Sequence, residues 1–493
     1  MMKHAIQTRV WRTRRSGRGA FGWIRIAALA VCVTAPWATL KAGQPAGTPS
    51  AGWINDWLRG QSRSFDDWDF GAQVRVRFES KSGFAVPGVP GAVDFSDAAP
   101  DNNYWLFREK VHLGWKPCPW FTAFAEARDS RTVFDKRTPE PEEDVLDLHQ
   151  AWVALGNARE FPLTLKVGRQ ELSYGDERLV GAFDWNNLGR VFDAAKARFE
   201  RDTLWVDAFV GRVVLANDDH FNVANDYDWF WGAYASSRAL VPKQETQLYF
   251  LARNTGPDSP TATTGRPQAG GPAARDIYTV GLRVKSLPGA FGGWDYEAEL
   301  AGQFGDFYDS GAGRRLDHEA FAAHVAGGYT WSQTQFAPRL GLEYNYASGD
   351  NDPTDGRHRT FENLFPTNHK FYGYMDFFSW QNLHNVRFAA SLKPAKGVTV
   401  TADYHLFWLA DTHDFFYAAS GLPRRTGGYG IAPGNDNFVG SEINLVATCA
   451  LGRVGALQAG YGHFFRGDYV RESLAATGAR DADWFYVQAV LNF

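Results

Sequence analysis

Beyond residue 45 the 493-residue sequence contains no run of about 18 apolar residues, the minimum that a membrane-crossing helix needs. Helical spans are thereby excluded from the body of the chain. A strand of a membrane barrel shows only every second residue to lipid and can be half polar, so a mean hydropathy of -0.36 does not speak against one. Cysteine is equally scarce. Of the three present, Cys32 sits in the leader described below, and Cys118 and Cys449 alone make no disulfide framework. They fall near different turns several strands apart, which reads as two unpaired thiols. Catalytic signatures are missing as well: there is no Gly-x-Ser-x-Gly elbow, no His-Glu-x-x-His and no phosphate loop, and the 12 His are scattered. The reading is therefore not an enzyme. The formal net charge of -4 includes a basic leader, so the remainder is more acidic still. No global basic patch points to nucleic acid.

What is abundant is aromatic: 19 Trp, 19 Tyr and 37 Phe, clustered in short segments with Gly and charges. Such rings suit the interfacial girdles of a barrel, where they settle at headgroup level. The N-terminus carries Lys3, Arg9, Arg12, Arg14, Arg15, Arg18 and Arg25, then an apolar stretch at 26–40, then Ala42-Gly43. This reads as a secretory signal peptide over 1–42. Residues 43–67 form a Gly/Pro/Ser-rich periplasmic lead-in, in which Trp53-Ile54-Asn55-Asp56-Trp57-Leu58 fits one short amphipathic helical turn. Residues 68–493 then read as the barrel.

Alternation carries that reading. In 295–304, Glu297, Glu299, Ala301 and Gln303 share one face and Tyr296, Ala298, Leu300, Gly302 and Phe304 the other. The same split separates Gln73, Arg75, Arg77 and Glu79 from Val74, Val76 and Phe78, and recurs in 278–285. A period of two with one polar and one apolar face is the barrel signature. Strands are expected near 68–80, 102–116, 119–131, 144–156, 162–171, 189–200, 202–214, 226–238, 243–254, 275–286, 294–305, 317–331, 335–347, 376–392, 397–410, 437–450, 453–466 and 481–493. The connections between them alternate. Every even one is short (117–118, 157–161, 201, 239–242, 287–293, 332–334, 394–396, 451–452), whereas 81–101, 172–188, 255–274, 348–375 and 411–436 are long. Short periplasmic turns opposite long extracellular loops are what an all-β, antiparallel transmembrane barrel of about 18 strands in the outer membrane of a Gram-negative bacterium requires. The last segment places Phe485, Val487, Ala489, Leu491 and Phe493 on one face, an apolar-alternating strand of the kind expected as an assembly tag.

Polar-face side chains of such a barrel point into the lumen and decide what passes. Alternation assigns Arg75, Arg77, Arg108, Lys110, Arg128, Lys166, Lys196, Arg198, Arg238, Arg253, Arg283, Lys285, Arg339, Arg387 and Arg466 to that face. Against them stand Glu79, Glu126, Asp207, Asp228, Glu245, Glu297, Glu299, Glu343, Asp403 and Glu442. Guanidinium groups bind carboxylates through a fixed fork of paired hydrogen bonds, so this Arg-rich excess suits a polyanion bearing carboxylates. The plainer alternative is that facing Arg and Glu pair across a water-filled wall. In loop 348–375, Asp350, Asp352 and Asp355 with Asn351 and Gly349 could hold a calcium ion through oxygen ligands, although Asp, Asn and Gly also build ordinary turns.

The blocks Val167-Gly168-Arg169-Gln170-Glu171-Leu172 and Arg190-Val191-Phe192-Asp193-Ala194, the loop core 360–369 with Tyr372-Gly373, then Asp376, Trp380, Asn382 and Asp403-Tyr404-His405-Leu406-Phe407-Trp408-Leu409-Ala410, occur in order along 68–493. In these the chain resembles the alginate-export porins. The resemblance implies an eighteen-stranded barrel with an Arg-lined constriction, through which an anionic polysaccharide leaves the cell, fed by a periplasmic secretion assembly. It implies a lumen role for Arg169, which stands inside the matching Gly-Arg-Gln block. Adjacent Glu297 and Glu299 depart from a uniformly basic wall, which keeps a second reading open: uptake of oligosaccharides or small anions. Either way the remaining partners are outer-membrane lipid and lipopolysaccharide.

Overall fold

The computed structural model describes residues 48–217, 220–256, 274–309, 313–369 and 371–493. The leader expected at 1–42, the start of the lead-in and most of the loop expected at 255–274 lie outside the described residues.

In chain order the wall begins with β1 (Trp68–Ser82), β2 (Asn102–Cys118), β3 (Phe121–Val133), β4 (Asp144–Leu155), β5 (Leu163–Gln170) and β6 (Phe192–Arg201). It continues through β7 (Leu204–Leu215), β8 (Val223–Ser237), β9 (Gln244–Thr255), β10 (Arg275–Ser286), β11 (Trp294–Asp309) and β12 (Arg314–Thr330). It is completed by β13 (Arg339–Ala347), β14 (Leu383–Ala395), β15 (Val398–Leu409), β16 (Phe438–Ala450), β17 (Gly455–Arg466) and β18 (Ala482–Asn492). Each strand pairs antiparallel with the next, and β18 pairs with β1 from Asp483 opposite Ser82 to Asn492 opposite Gln73, so the sheet of eighteen strands closes on itself. Closure removes both edges, which is why such a sheet can stand in lipid without unpaired backbone groups. A two-residue strand, Arg357–His358, adds to β12 from within a loop.

Side chains of a strand alternate between faces, and the burial pattern follows the expected split. Gln73, Arg75, Arg77 and Glu79 are buried inside. The outer face is apolar and bare, with Val111, Leu165, Leu300, Val325 and Leu342 exposed, far more than a protein surrounded by water leaves uncovered. The short connections hold as well: at the end where β1 begins, none is longer than 331–338.

The long-loop end departs from a simple open tube. Loops 83–101, 171–191, 348–382, 410–437 and 467–481 turn inward and build an apolar core within and above the barrel. Phe378 of one loop stacks on Phe407 of β15 at 3.9 Å, and Phe95 of another on Phe464 of β17 at 4.6 Å. This core explains the main boundary correction. The strand expected from 376 starts at Leu383, because Phe377, Phe378 and Trp380 are buried in the core instead. Asp376 and Asn382 take left-handed φ values of 59° and 45°, and Asn382 ties two loops together by donating to the Asp411 and Phe415 carbonyls at 2.9 Å. Likewise 335–338 turns before β13 begins.

At the opposite end the expected helical turn is a nine-residue helix, α1 (Trp53–Gln61). Just before it, Thr48 dips inside the barrel, where its backbone N–H and hydroxyl both donate to the Glu126 carboxylate.

Candidate functional site in the lumen

The basic residues of β1–β3 face inward as alternation requires, but they hold a loop. Arg75 donates to the Asp184 carbonyl at 2.6 Å and the Asn186 carbonyl at 3.0 Å. Arg77 donates to the Trp185 carbonyl at 2.8 Å, and Arg108 forks onto the Asp184 carboxylate at 2.8 and 3.3 Å. Arg128 donates to the Leu188 carbonyl and to Asp144. Four guanidiniums thus capture one stretch of loop 171–191, with Lys110 3.3 Å from Asp184. Such charge-assisted bonds are about twice as strong as neutral ones. Enclosure raises the Asp184 carboxyl, but the charges of Arg108, Lys110 and Arg75 outweigh that and hold it well below the usual carboxylate range.

The same loop reaches the far wall. Arg178 donates to Glu343 of β13 at 2.8 Å and lies 4.2 Å over the Phe371 ring. Midway, the loop pairs with loop 348–382: Gly181 N–H donates to the Phe365 carbonyl, Phe365 N–H to the Leu179 carbonyl and Thr367 N–H to the Glu177 carbonyl, each at 2.9 Å. Arg190 donates to the carbonyls of Gly181, Phe365 and Pro366 at 3.0, 2.6 and 2.8 Å, clamping both loops at once. A strut therefore crosses the lumen from β1 and β2 to β13.

Cavities lie to either side of it. One of ≈ 260 Å³ is lined by Gln73, Arg75, Arg108, Asp184, Thr367, His369 and Gln488, with Trp185. The Trp185 ring is sandwiched between the Arg77 guanidinium at 4.0 Å and the His369 ring at 3.9 Å. The other, of ≈ 740 Å³, opens towards the short-turn end along β10–β14. Its charges are balanced: Arg178, Lys285, Arg339 and Arg387 against Asp176, Asp295, Glu297 and Glu343. Arg283 binds Glu297 at 2.9 Å and Asp176 at 2.7 Å, and Arg387 binds Asp403 at 3.0 Å and Glu343 at 3.1 Å. Arg339 pairs with Asp295. On β5–β7, Lys196 and Arg198 share Asp207. Lys166 instead lies 3.9 Å over the Trp152 ring, and its ammonium has no hydrogen-bond partner among the described residues.

Two sequence-based expectations change. Arg169 does not face the lumen. It shares parity with Leu163, Leu165 and Val167, each 43% exposed on the outer face, and forks there onto Asp193 of β6 at 2.8 and 3.1 Å. The alternation of β5 itself points Arg169 outward, whereas the resemblance of the Gly-Arg-Gln block implies the lumen. The three loop carboxylates do not converge on a cation position either. Asp352 accepts from the Thr354 N–H, and Asp355 accepts from the Arg357 N–H and from Arg359. Asp350 accepts from the Asp352 N–H. Among the described residues no group of three or more His, Cys, Asp or Glu gathers to hold a metal.

Arg178, Asp184 and Trp185 emerge only from the structure, and Arg190 and His369, which stand in blocks that carry the family resemblance, gain their roles only there. The available signal was the composition of their loops: Phe361, Leu364, Phe365, Phe371 and Tyr372 are too apolar for a segment surrounded by water. A comparable knot closes the top, where Asp414 accepts from the Asp350 N–H at 3.0 Å, the Tyr417 hydroxyl at 2.9 Å and the Thr360 hydroxyl at 2.5 Å. Burial pushes the Asp414 carboxyl up to about 6 despite these donors.

Against known proteins, the family model described as "Alginate export" matches residues 66–482. No curated protein matches the sequence. Among solved structures, Pseudomonas aeruginosa OpdQ aligns at 10% identity and TM-score 0.54, covering 87% of this chain and 98% of that one. Pseudomonas aeruginosa OccD3 (OpdP) aligns at 12% and 0.53, covering 86% and 91%. Pseudomonas aeruginosa OccK2 (OpdF), solved in complex with glucuronate, aligns at 12% and 0.52, covering 87% and 99%. At these identities the likeness is one of fold.

Proposed function

Since the chain belongs to the alginate-export family and is an outer-membrane porin, we propose that it conducts an anionic, uronate-type polysaccharide outward, with the lumen arginines relaying its carboxylates. The observation that carries this reading is the ≈ 260 Å³ cavity, in which Arg75 and Arg108, direct cross-strand partners, stand with His369, Gln73 and Gln488 against the single carboxylate of Asp184. A fork of guanidiniums beside neutral amides offers a uronate both its charge partner and hydrogen bonds for its hydroxyls. Several weak positions rather than one tight one suit a polymer that must leave again, and Lys166, Lys196 and Arg198 supply a further position. Passage of a polymer requires the strut to swing out of the lumen, so the structure is read as the closed state.

One observation favours a second reading. OccK2, of the same fold, is solved with the monomer glucuronate, and the narrow cavities here suit single sugars, which would make the protein an uptake porin for small uronates. Planar-bilayer recordings with uronates of increasing length separate the two. Export of polymer predicts that block of the anion current strengthens with chain length and weakens in Arg75→Glu. Block by glucuronate alone, with no gain from longer chains, supports uptake, and cation selectivity contradicts both.

A further inference from the structure

The helix α1 leaves an apolar face that the barrel does not use. Trp53, Ile54, Trp57 and Leu58 fall on one side of it, and Trp57 is 64% exposed. The opposite side is fixed to the barrel rim: Asn55 is buried, donates to Asp69 at 2.8 Å and to the Phe70 carbonyl at 3.0 Å, and accepts from the Phe70 N–H at 2.8 Å. Arg59, one turn on, donates to the Trp68 carbonyl at 2.8 Å. The helix can therefore neither roll over nor bury its tryptophans against the barrel.

The position of that face decides its partner. Phe493 bonds backbone to backbone with Ala72, which extends the β18–β1 pairing by one residue and places the Phe493 ring on the outer face with Phe485 and Val487. Trp53 meets this ring edge-on at 6.4 Å. Beside it on the outer face, Trp68 stacks on Trp115 at 5.7 Å and on Phe70 at 6.0 Å. Around the same short-turn rim Trp120, Phe161, Trp294 and Trp331 are exposed. Short turns mark the periplasmic side of an outer-membrane barrel, and a ring of Trp and Phe there is the interfacial girdle. The apolar face of α1 continues that girdle outward without a gap.

We infer that α1 is an interfacial anchor that lies in the periplasmic leaflet of the outer membrane, with Trp53, Ile54 and Trp57 inserted at the boundary between phospholipid headgroups and acyl chains. It broadens the girdle at the β18–β1 seam, where the barrel closes. The occupant of this face is phospholipid, not a periplasmic protein.

The test uses the full-length protein with Cys32→Ser, Cys118→Ser and Cys449→Ser, purified and reconstituted alone in vesicles of phosphatidylethanolamine and phosphatidylglycerol. A nitroxide is attached in turn at Trp57→Cys, at Ile54→Cys and at Asp56→Cys, the last on a different side of the helix. Since Trp57 and Ile54 are exposed, these variants keep the heat-modifiable migration of a folded barrel. Collisions with oxygen, which concentrates in lipid, are expected to exceed those with a water-soluble nickel chelate at positions 54 and 57, and the order is expected to reverse at 56. If 54 and 57 are as open to the nickel chelate as 56, the face points into the periplasm and the inference fails. That failure would leave the transport reading untouched, since it concerns the outside of the barrel.

Discussion

The two sides of the lumen are built from the same side chains and use them differently. On β1–β3, Arg75, Arg77, Arg108 and Arg128 hold the carbonyls and carboxylate of loop 171–191, and only ≈ 260 Å³ stays open in that sector. On β10–β14, Arg339 and Arg387 pair along the wall with Asp295 and Asp403, Arg283 divides itself between Glu297 of the wall and Asp176 of the loop, and ≈ 740 Å³ stays open beside them. An inward arginine is thus a latch for a loop, part of a neutralised wall or, as at Arg283, both. Charge alone does not tell which; a loop within reach does.

The largest effect should come from removing what the first side holds. Replacing 177–185 with a short Gly-Ser linker is expected to raise single-channel conductance several-fold. Unchanged conductance would mean that the strut does not limit flow. Next, Arg108→Ala takes away the fork on Asp184, whose side chain is 62% exposed, a contact worth about 1 kcal/mol. The open-to-closed ratio in bilayer recordings should rise roughly 5-fold, with Lys110→Ala giving less. On the second side, Arg339→Glu should move the reversal potential in a salt gradient towards cations while leaving the gating rate alone, because Arg339 pairs with Asp295 of the wall and touches neither the loop nor its anchor Glu343. A gating change there would erase the distinction between the walls.

Acidity offers a subtler separation. Asp184 has its carboxyl depressed, so the strut's anchorage is fully present above the ordinary aspartate range near pH 4 and is lost only far below it. Asp414 is raised to about 6, so the folded loop knot binds a proton more tightly than the unfolded segment does, and docking weakens as pH rises from about 4 to 6, then levels off. Openings should therefore become rarer as pH falls from 7 to 5, and Asp414→Asn should abolish that dependence. The smallest effect belongs to Arg169→Glu: on the outer face, it should leave ion selectivity unchanged.

The wall was legible in the sequence because period-two alternation is local and lipid enforces it at every strand. The same rule turns Arg75, Arg283 and Arg387 into the lumen and Arg169 to the outer face, opposite to what its motif implies. The strut was not legible. Arg190, Asp184 and Trp185 acquire their roles from contacts between segments far apart in the chain, such as Arg190 with Phe365 and Asp184 with Arg108, and no local pattern encodes such a meeting. Only the surplus of Phe and Tyr in 360–382 hinted that those loops had somewhere to hide.

On the proposed function, the loop masks a basic path for carboxylates. The reversal potential of the channel with 177–185 replaced, measured beside the intact protein under the same potassium chloride gradient, tests this. Unmasking Arg75 and Arg108, which lose Asp184, should make the shortened-loop channel more anion-selective than the intact one and more sensitive to block by uronate oligomers. A shift towards cations, or an open channel indifferent to uronates, would contradict the account.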